Sequence, residues 1–281
     1  MSLVAFSHTV FALPFALIGF FLGLSDTNSQ VDYLLFFKII ICMITARSAA
    51  MAFNRWADAR IDALNNRTKI REIPAGIISK NAALALVVFC CLIFVIVTFF
   101  INIYCFYLSP LALVIILGYS YTKRFTSLCH FILGMGLALA PIGAYLATTA
   151  TFSIQSVLLG VLVLFWVTGF DILYSLQDQL FDTEHKLHSV PVLLGAANAM
   201  LLSRSLHFLV FCLLLLIGFY FNHSYFYFVG SFAFAFLLYY QHSIIKVNDL
   251  SRIDKAFGTT NGVASIILFI FFSLDLFYTN G

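Results

Sequence analysis

Residues 32–62 read DYLLFFKIIICMITARSAAMAFNRWADARID. The first two thirds are apolar enough to cross a bilayer, which takes about 20 such residues as a helix. The last third runs on, with no Gly or Pro, into charged residues at helical spacing. One helix therefore carries an apolar body and a chemically active end.

The rest of the chain repeats the apolar theme. Of 281 residues, 62% are hydrophobic and 10% are charged, and the mean hydropathy is +1.02. A soluble domain carries about 25% charged residues, so this composition excludes an ordinary soluble globule. The short alternating segments of a membrane barrel are also absent. The predicted fold is all-α, a single polytopic domain over 1–281, with nine transmembrane helices around a central cavity open to the cytoplasmic side. The expected spans are 9–24, 32–62, 81–101, 103–121, 127–149, 153–180, 199–221, 223–244 and 260–278. The opening MSLVAFSHTVFALPFALIGFFLGL lacks a basic leader and a small-residue cleavage signal, and is read as a retained first helix.

A net charge of +3 gives no argument for nucleic acid, but its distribution orients the chain. Lys and Arg concentrate in 55–80, at Lys123 and Arg124, at Lys186, and in 246–255, while the intervening connections carry none. Basic loops stay on the cytoplasmic side. With nine spans and a cytoplasmic N-terminus, all four clusters fall inside. The six cysteines lie mostly within apolar runs, which argues against a disulfide framework.

Charged residues at the edge of a membrane span are costly and ask for a reason. Asn54, Asp58 and Asp62 recur every four residues, so on a helix they share a face within about 80° and rise about 6 Å per step. Arg47 lies seven residues earlier, about 20° off that face and about 10 Å deeper. The sixth span ends in DILYSLQDQLFD, residues 171–182. On a continuous helix Asp171, Asp178 and Asp182 fall within about 40° of one another. Two acidic stripes ending on one side repel unless cations lie between them. Hard oxygen ligands in that number suit Mg2+ bridged by substrate phosphates. Arg67, Lys69 and Arg71 follow the first stripe, and Lys123 and Arg124 sit in the turn between spans four and five, where they could hold diphosphate oxygens. Phe- and Leu-rich walls would accept a hydrocarbon tail. The expected ligand is an amphiphile with a lipid tail and a phosphorylated head.

These motifs, N-x3-D-x3-D at 54–62, Arg71 through Pro74 and Gly76, YSYTKRFT at 119–126 and D-x2-Y-x2-Q-D-x3-D at 171–182, resemble those of the UbiA superfamily of intramembrane aromatic prenyltransferases. The likeness is greatest to 4-hydroxybenzoate polyprenyltransferases and their menaquinone-pathway relatives. One departure is Glu72, where those relatives usually follow the loop arginine with proline. The resemblance implies Mg2+-dependent transfer of a polyprenyl group from polyprenyl diphosphate to an aromatic acceptor in quinone biosynthesis. It also implies residence in the inner membrane of a bacterium, with the active site facing the cytoplasm. In that reading Asp58, Asp62, Asp178 and Asp182 hold the metal. Arg47, Asn54, Arg67, Lys69, Arg71 and Tyr119 bind substrate, and Asp171, Tyr174, Lys123 and Arg124 act in catalysis, with Arg47 paired to Asp171 or to an acceptor carboxylate.

Other readings are weaker. A secondary transporter of a small anion would place its site near the bilayer midplane on broken helices, whereas these acids cluster toward one face. A passive lipid-binding subunit needs no paired acidic stripes. His185 and His188 lie at i and i+3, but in a loop beside an oxygen-rich cluster they make a poor transition-metal site. The small residues from Gly134 to Gly143 suit close helix packing, since no Lys-Ser/Thr follows to make a phosphate loop.

Overall fold

The computed structural model describes residues 9–280. Ten α-helices follow in order: α1 (Thr9–Thr27), α2 (Tyr33–Leu64), α3 (Lys80–Phe99), α4 (Ile103–Thr122), α5 (Cys129–Thr149), α6 (Ile154–Ser175), the short α7 (Gln179–Glu184), α8 (Val190–Tyr220), α9 (Tyr225–Ile244) and α10 (Asn261–Asn280). Among the described residues there is no β-strand, as an all-α membrane chain requires. Residues 1–8, which precede the expected first span, lie outside the described residues.

Side-chain caps set many of the helix starts. Asp32 accepts from the Leu34 and Leu35 N–H groups at 2.8 and 3.1 Å, and Asn102 accepts from the Cys105 N–H at 2.9 Å. Ser153 and Ser156 form a reciprocal capping box at the head of α6. Each satisfies N–H groups that a helix leaves without an internal partner.

Seven helical segments are long and apolar enough to cross a membrane: α2, α3, α4, α5, residues 154–184, α8 and residues 255–278. Helices α1 and α9 stand at the positions of the first and eighth expected spans. The apolar part of α1 is short, Ala12–Thr27, and α9 is diluted by four tyrosines, Gln241 and His242.

Helix α5 is the hub, packing on α6, α1 and α4, while α2 packs on α3 and α4. From α6 the chain continues through α8, α9 and α10, which closes back on α1. Gly134 permits the α5–α6 approach, because a Cβ there would lie 2.5 Å from the Leu164 carbonyl oxygen and 2.7 Å from Thr168 Oγ1. The small-residue run is therefore a packing device at this position. Trp166, Phe15 and Phe234 fill the core where α1, α6 and α9 meet, with the first two rings 5.1 Å apart.

Two expectations about helix continuity are corrected. The sixth helix does not run through 171–182. It ends at Ser175, passes through a 3-10 turn at Leu176–Asp178 and resumes as α7. Ser175 Oγ donates to the Ile172 carbonyl at 2.8 Å and Gln177 Nε2 to the Tyr174 carbonyl at 3.2 Å, so side chains compete for the ladder where it tightens. The next long helix starts at Val190 and not near 199, with an interruption at Gly195, whose φ is +77°. That left-handed conformation costs glycine little.

Candidate active site

The first acidic stripe lies at the C-terminal end of α2, where Asp58 and Asp62 are 1% and 3% exposed. Buried carboxylates need partners. Lys123 Nζ sits 2.6 Å from Asp58 Oδ2, and Arg124 Nη2 reaches Asp58 Oδ1 at 3.4 Å while donating to the Ala57 carbonyl at 2.7 Å. Asn54 Nδ2 also donates to Asp58 Oδ2, at 3.4 Å. Arg71 Nη1 donates to Asp62 Oδ1 at 2.7 Å, but Asp62 Oδ2 is buried without a hydrogen-bond partner among the described residues.

The second stripe meets the α2–α3 loop. Arg67 grips Asp178 with two nitrogens, Nε to Oδ1 at 3.1 Å and Nη2 to Oδ2, and its Nη1 donates to the Tyr174 hydroxyl at 3.3 Å. Burial works against the Arg67 charge, but the Asp178 hydrogen bonds and charge outweigh it and hold the guanidinium pKa above its usual range. Asn65 Nδ2 adds a bond to Asp178 Oδ1 at 3.1 Å. The cations between the two stripes thus include the protein's own Arg67, Arg71 and Lys123.

Two cavities abut here. A polar one of about 220 Å³ is lined by Asp58, Asp62, Asp178, Asp182, Arg67 and Lys123 among others. An apolar one of about 550 Å³ extends between α2, α3, α4 and α5, past Ile39, Phe94, Leu108 and Ile115. Both are lined by Asn54, Arg71, Tyr119, Leu133, Asp171 and Tyr174. A charged chamber opening onto a greasy one is the shape an amphiphile requires.

Most of the chain matches one family. The model of the UbiA prenyltransferase family covers residues 12–275. The chain belongs to the UbiA prenyltransferase family. It is 29% identical over 250 residues to a 4-hydroxybenzoate octaprenyltransferase of Aliivibrio fischeri, covering 88% of this chain and 85% of the relative. A Francisella tularensis protein of the same name is 26% identical over 250 residues, covering 88% of this chain and 85% of the relative. Among solved structures, an apo UbiA homolog from Aeropyrum pernix superimposes with a TM-score of 0.85 at 30% identity, over 95% of this chain and 98% of the homolog. A UbiA homolog from Archaeoglobus fulgidus, solved with DMAPP and Mg2+, shares the fold with a TM-score of 0.74 at 18% identity, over 95% of each chain. This UbiA-family protein is a prenyltransferase embedded in a membrane.

Most of the sequence-predicted residues of this prenyltransferase converge. Asp58, Asp62, Asp178, Asp182, Asn54, Arg67, Arg71, Tyr119, Lys123, Asp171 and Tyr174 line the polar chamber. Arg124 reaches it through Asp58 and lies over the Tyr121 ring at 4.7 Å. Lys69 does not join them. It is exposed, and its Nζ donates to Asn66 Oδ1 at 2.8 Å.

Arg47 lines only the apolar chamber, and its buried Nε has no hydrogen-bond partner among the described residues. The expected pairing with Asp171 is not formed. Asp171 is taken by His130, whose Nδ1 lies 2.7 Å from Asp171 Oδ2. His130, from the first turn of α5, was missed by sequence reasoning, as was Asn65. A histidine in an apolar run was the available signal, but its partner lies 41 residues away. His185 stacks on Phe181 at 4.0 Å and is exposed. No three His, Cys, Asp or Glu side chains among the described residues come close enough to cage a metal.

Proposed function

We propose that this UbiA-family enzyme transfers a polyprenyl group from its diphosphate to an aromatic acceptor of the 4-hydroxybenzoate type, with Mg2+ as cofactor. The observation that carries the reading is the pair of abutting chambers, one charged and one apolar, meeting at Asn54, Arg71, Tyr119, Leu133, Asp171 and Tyr174. The name of the Aliivibrio relative supports the acceptor class, and the DMAPP and Mg2+ bound to the Archaeoglobus homolog support the donor and the metal.

The donor set fits a hard cation held jointly with phosphate. It consists of carboxylates, one oxygen of which, Asp62 Oδ2, is buried and unpartnered. Without three ligands in caging distance, the protein needs substrate oxygens to complete the coordination, as is usual for Mg2+. Asp58, Asp62, Asp178 and Asp182 would hold the ion, which supplies charge neutralisation at the leaving diphosphate.

Arg67, Arg71 and Lys123 would turn their donors to diphosphate oxygens. The allylic C–O bond breaks with its electron pair leaving on diphosphate. The apolar chamber holds the tail and keeps water from the allylic cation. The Tyr119 and Tyr174 rings border the cation, and a ring carbon of the acceptor forms the new C–C bond. Asp171 accepts the ring proton as aromaticity returns. Arg47 pairs with the acceptor carboxylate. The basic loops, of the kind that stay on the cytoplasmic side, support a site at the cytoplasmic face of an inner membrane.

The test is an assay of purified protein with labelled polyprenyl diphosphates and a panel of aromatic acceptors, with and without Mg2+. Prenylated product with 4-hydroxybenzoate is the expected result, and product only with uncarboxylated rings would overturn the acceptor assignment.

A further inference from the structure

His130 sits where three helices meet. It is the second residue of α5 and only 3% exposed. One ring nitrogen, Nδ1, faces Asp171 of α6 at 2.7 Å. The other, Nε2, accepts the backbone N–H of Val190, the first residue of α8, at 3.2 Å. A backbone N–H can only donate, so Nε2 carries no proton and the ring proton is on Nδ1, directed at the carboxylate. The partner of that N–H is Asp171 Oδ2, which leaves Oδ1 without a hydrogen-bond partner among the described residues, on a side chain that borders both chambers.

The surroundings fix this geometry. Thr168 Oγ1, one turn before Asp171, donates to the Leu164 carbonyl at 2.7 Å and lies 3.3 Å from the His130 carbonyl. The α5 and α6 backbones also approach closely at Gly134, one turn after His130. Through Val190 the same ring caps the helix that follows the second acidic motif, using an N–H that no turn of α8 can satisfy.

We propose that His130 is the positioning residue for Asp171: as a neutral Nδ1–H donor it holds Oδ2, so that Oδ1 is presented to the acceptor ring as the base. The inference rests on the reading of Asp171 as the proton acceptor. The step it serves moves one proton. The C–H electron pair of the substituted ring carbon returns to the ring, and the proton passes to Asp171 Oδ1. His130 gains and loses no proton. The pattern resembles the carboxylate–histidine pairs that orient catalytic groups elsewhere, with the roles reversed: here the histidine orients the acid.

Three variants and one spectroscopic measurement test it. His130→Leu removes both bonds, and kcat should fall about 100-fold, the scale of a misplaced reacting group, with KM for the prenyl diphosphate within about twofold. With the acceptor deuterated at the substituted carbon, the isotope effect on kcat should rise above that of the unmodified enzyme, because a displaced base makes proton removal slow. His130→Gln keeps one donor and one acceptor on a planar group and should recover most of the rate. If His130→Leu leaves kcat and the isotope effect unchanged, the inference is overturned. Asp171→Asn separates the two layers: near-normal turnover in that variant defeats the base assignment itself, whereas an inactive Asp171→Asn beside an unaffected His130→Leu defeats only the positioning role. Should leucine prevent folding, nitrogen NMR of the histidine-labelled unmodified protein decides, with the His130 signals assigned by their loss in His130→Gln. A protonated Nδ1 with a bare Nε2 supports the proposal, and either an imidazolium or the opposite tautomer overturns it.

Discussion

Arg67 and Asp178, 111 residues apart, are joined by a two-pronged guanidinium–carboxylate contact that closes the α2–α3 loop over the end of α6. Such a fork fixes orientation as well as distance. It places a cation and a carboxylate of the proposed diphosphate site in one locked pair. Lys123 Nζ holds Asp58 Oδ2 by a single contact at 2.6 Å. Asp58 and Asp178 are thus each held by a cation of the protein.

Replacement of Arg67 by Lys keeps the charge but loses the fork. Prenyl transfer should drop about 10- to 100-fold in kcat/KM for the diphosphate. Asp58→Asn and Asp178→Asn should each lower kcat by about 100-fold or more while leaving thermal unfolding in detergent nearly unchanged. The cations they strip, Lys123 and Arg67, are about one-third exposed and can be rehydrated. Near-normal turnover in both Asn variants would remove these carboxylates from the metal site.

Mg2+ alone should bind poorly, because no protein-only cage exists among the described residues. Calorimetry with Mg2+ and a non-reactive diphosphate analogue together should show tight binding, and either component alone weak binding. Chelation should stop turnover and added Mg2+ restore it. Tight Mg2+ binding without the analogue would contradict the shared-coordination model.

Arg47 borders the apolar chamber and not the polar one. Arg47→Leu should raise KM for a carboxylated acceptor about tenfold or more, the scale of one lost charge-assisted hydrogen bond. KM for the prenyl diphosphate should stay unchanged, and the preference for carboxylated over uncarboxylated rings should narrow. A rise confined to the diphosphate KM would move Arg47 to the phosphate site.

Gly134→Val tests the α5–α6 seam. Its side chain would meet the Leu164 carbonyl and Thr168 Oγ1, at a cost of about 1–3 kcal/mol for overpacking. The melting temperature in detergent should fall by several degrees. Because the seam also sets His130 against Asp171, kcat should fall with it even at temperatures where the protein remains folded. An unchanged melting temperature would show that the helices can part at that point without cost.

What was legible in the sequence was whatever depends on local periodicity and solvent preference. Apolar runs of bilayer length dictated an all-α membrane chain. The four-residue spacing of Asn54, Asp58 and Asp62 placed them on one face of α2, all lining the polar chamber. The proposal of an amphiphilic, phosphorylated ligand rests on the acids beside cations and the greasy walls. Tertiary structure alone decided which cation meets which acid, since Arg67–Asp178 and Lys123–Asp58 join elements far apart in the chain. It also decided that Asp171 is claimed by His130 and not by Arg47. Helical spacing could not reveal the break at Leu176–Asp178, where side-chain hydrogen bonds tighten the turn and end the 3.6-residue repeat on which the second stripe was drawn. A period is a property of one segment, whereas a hydrogen-bond partner is a property of how segments pack.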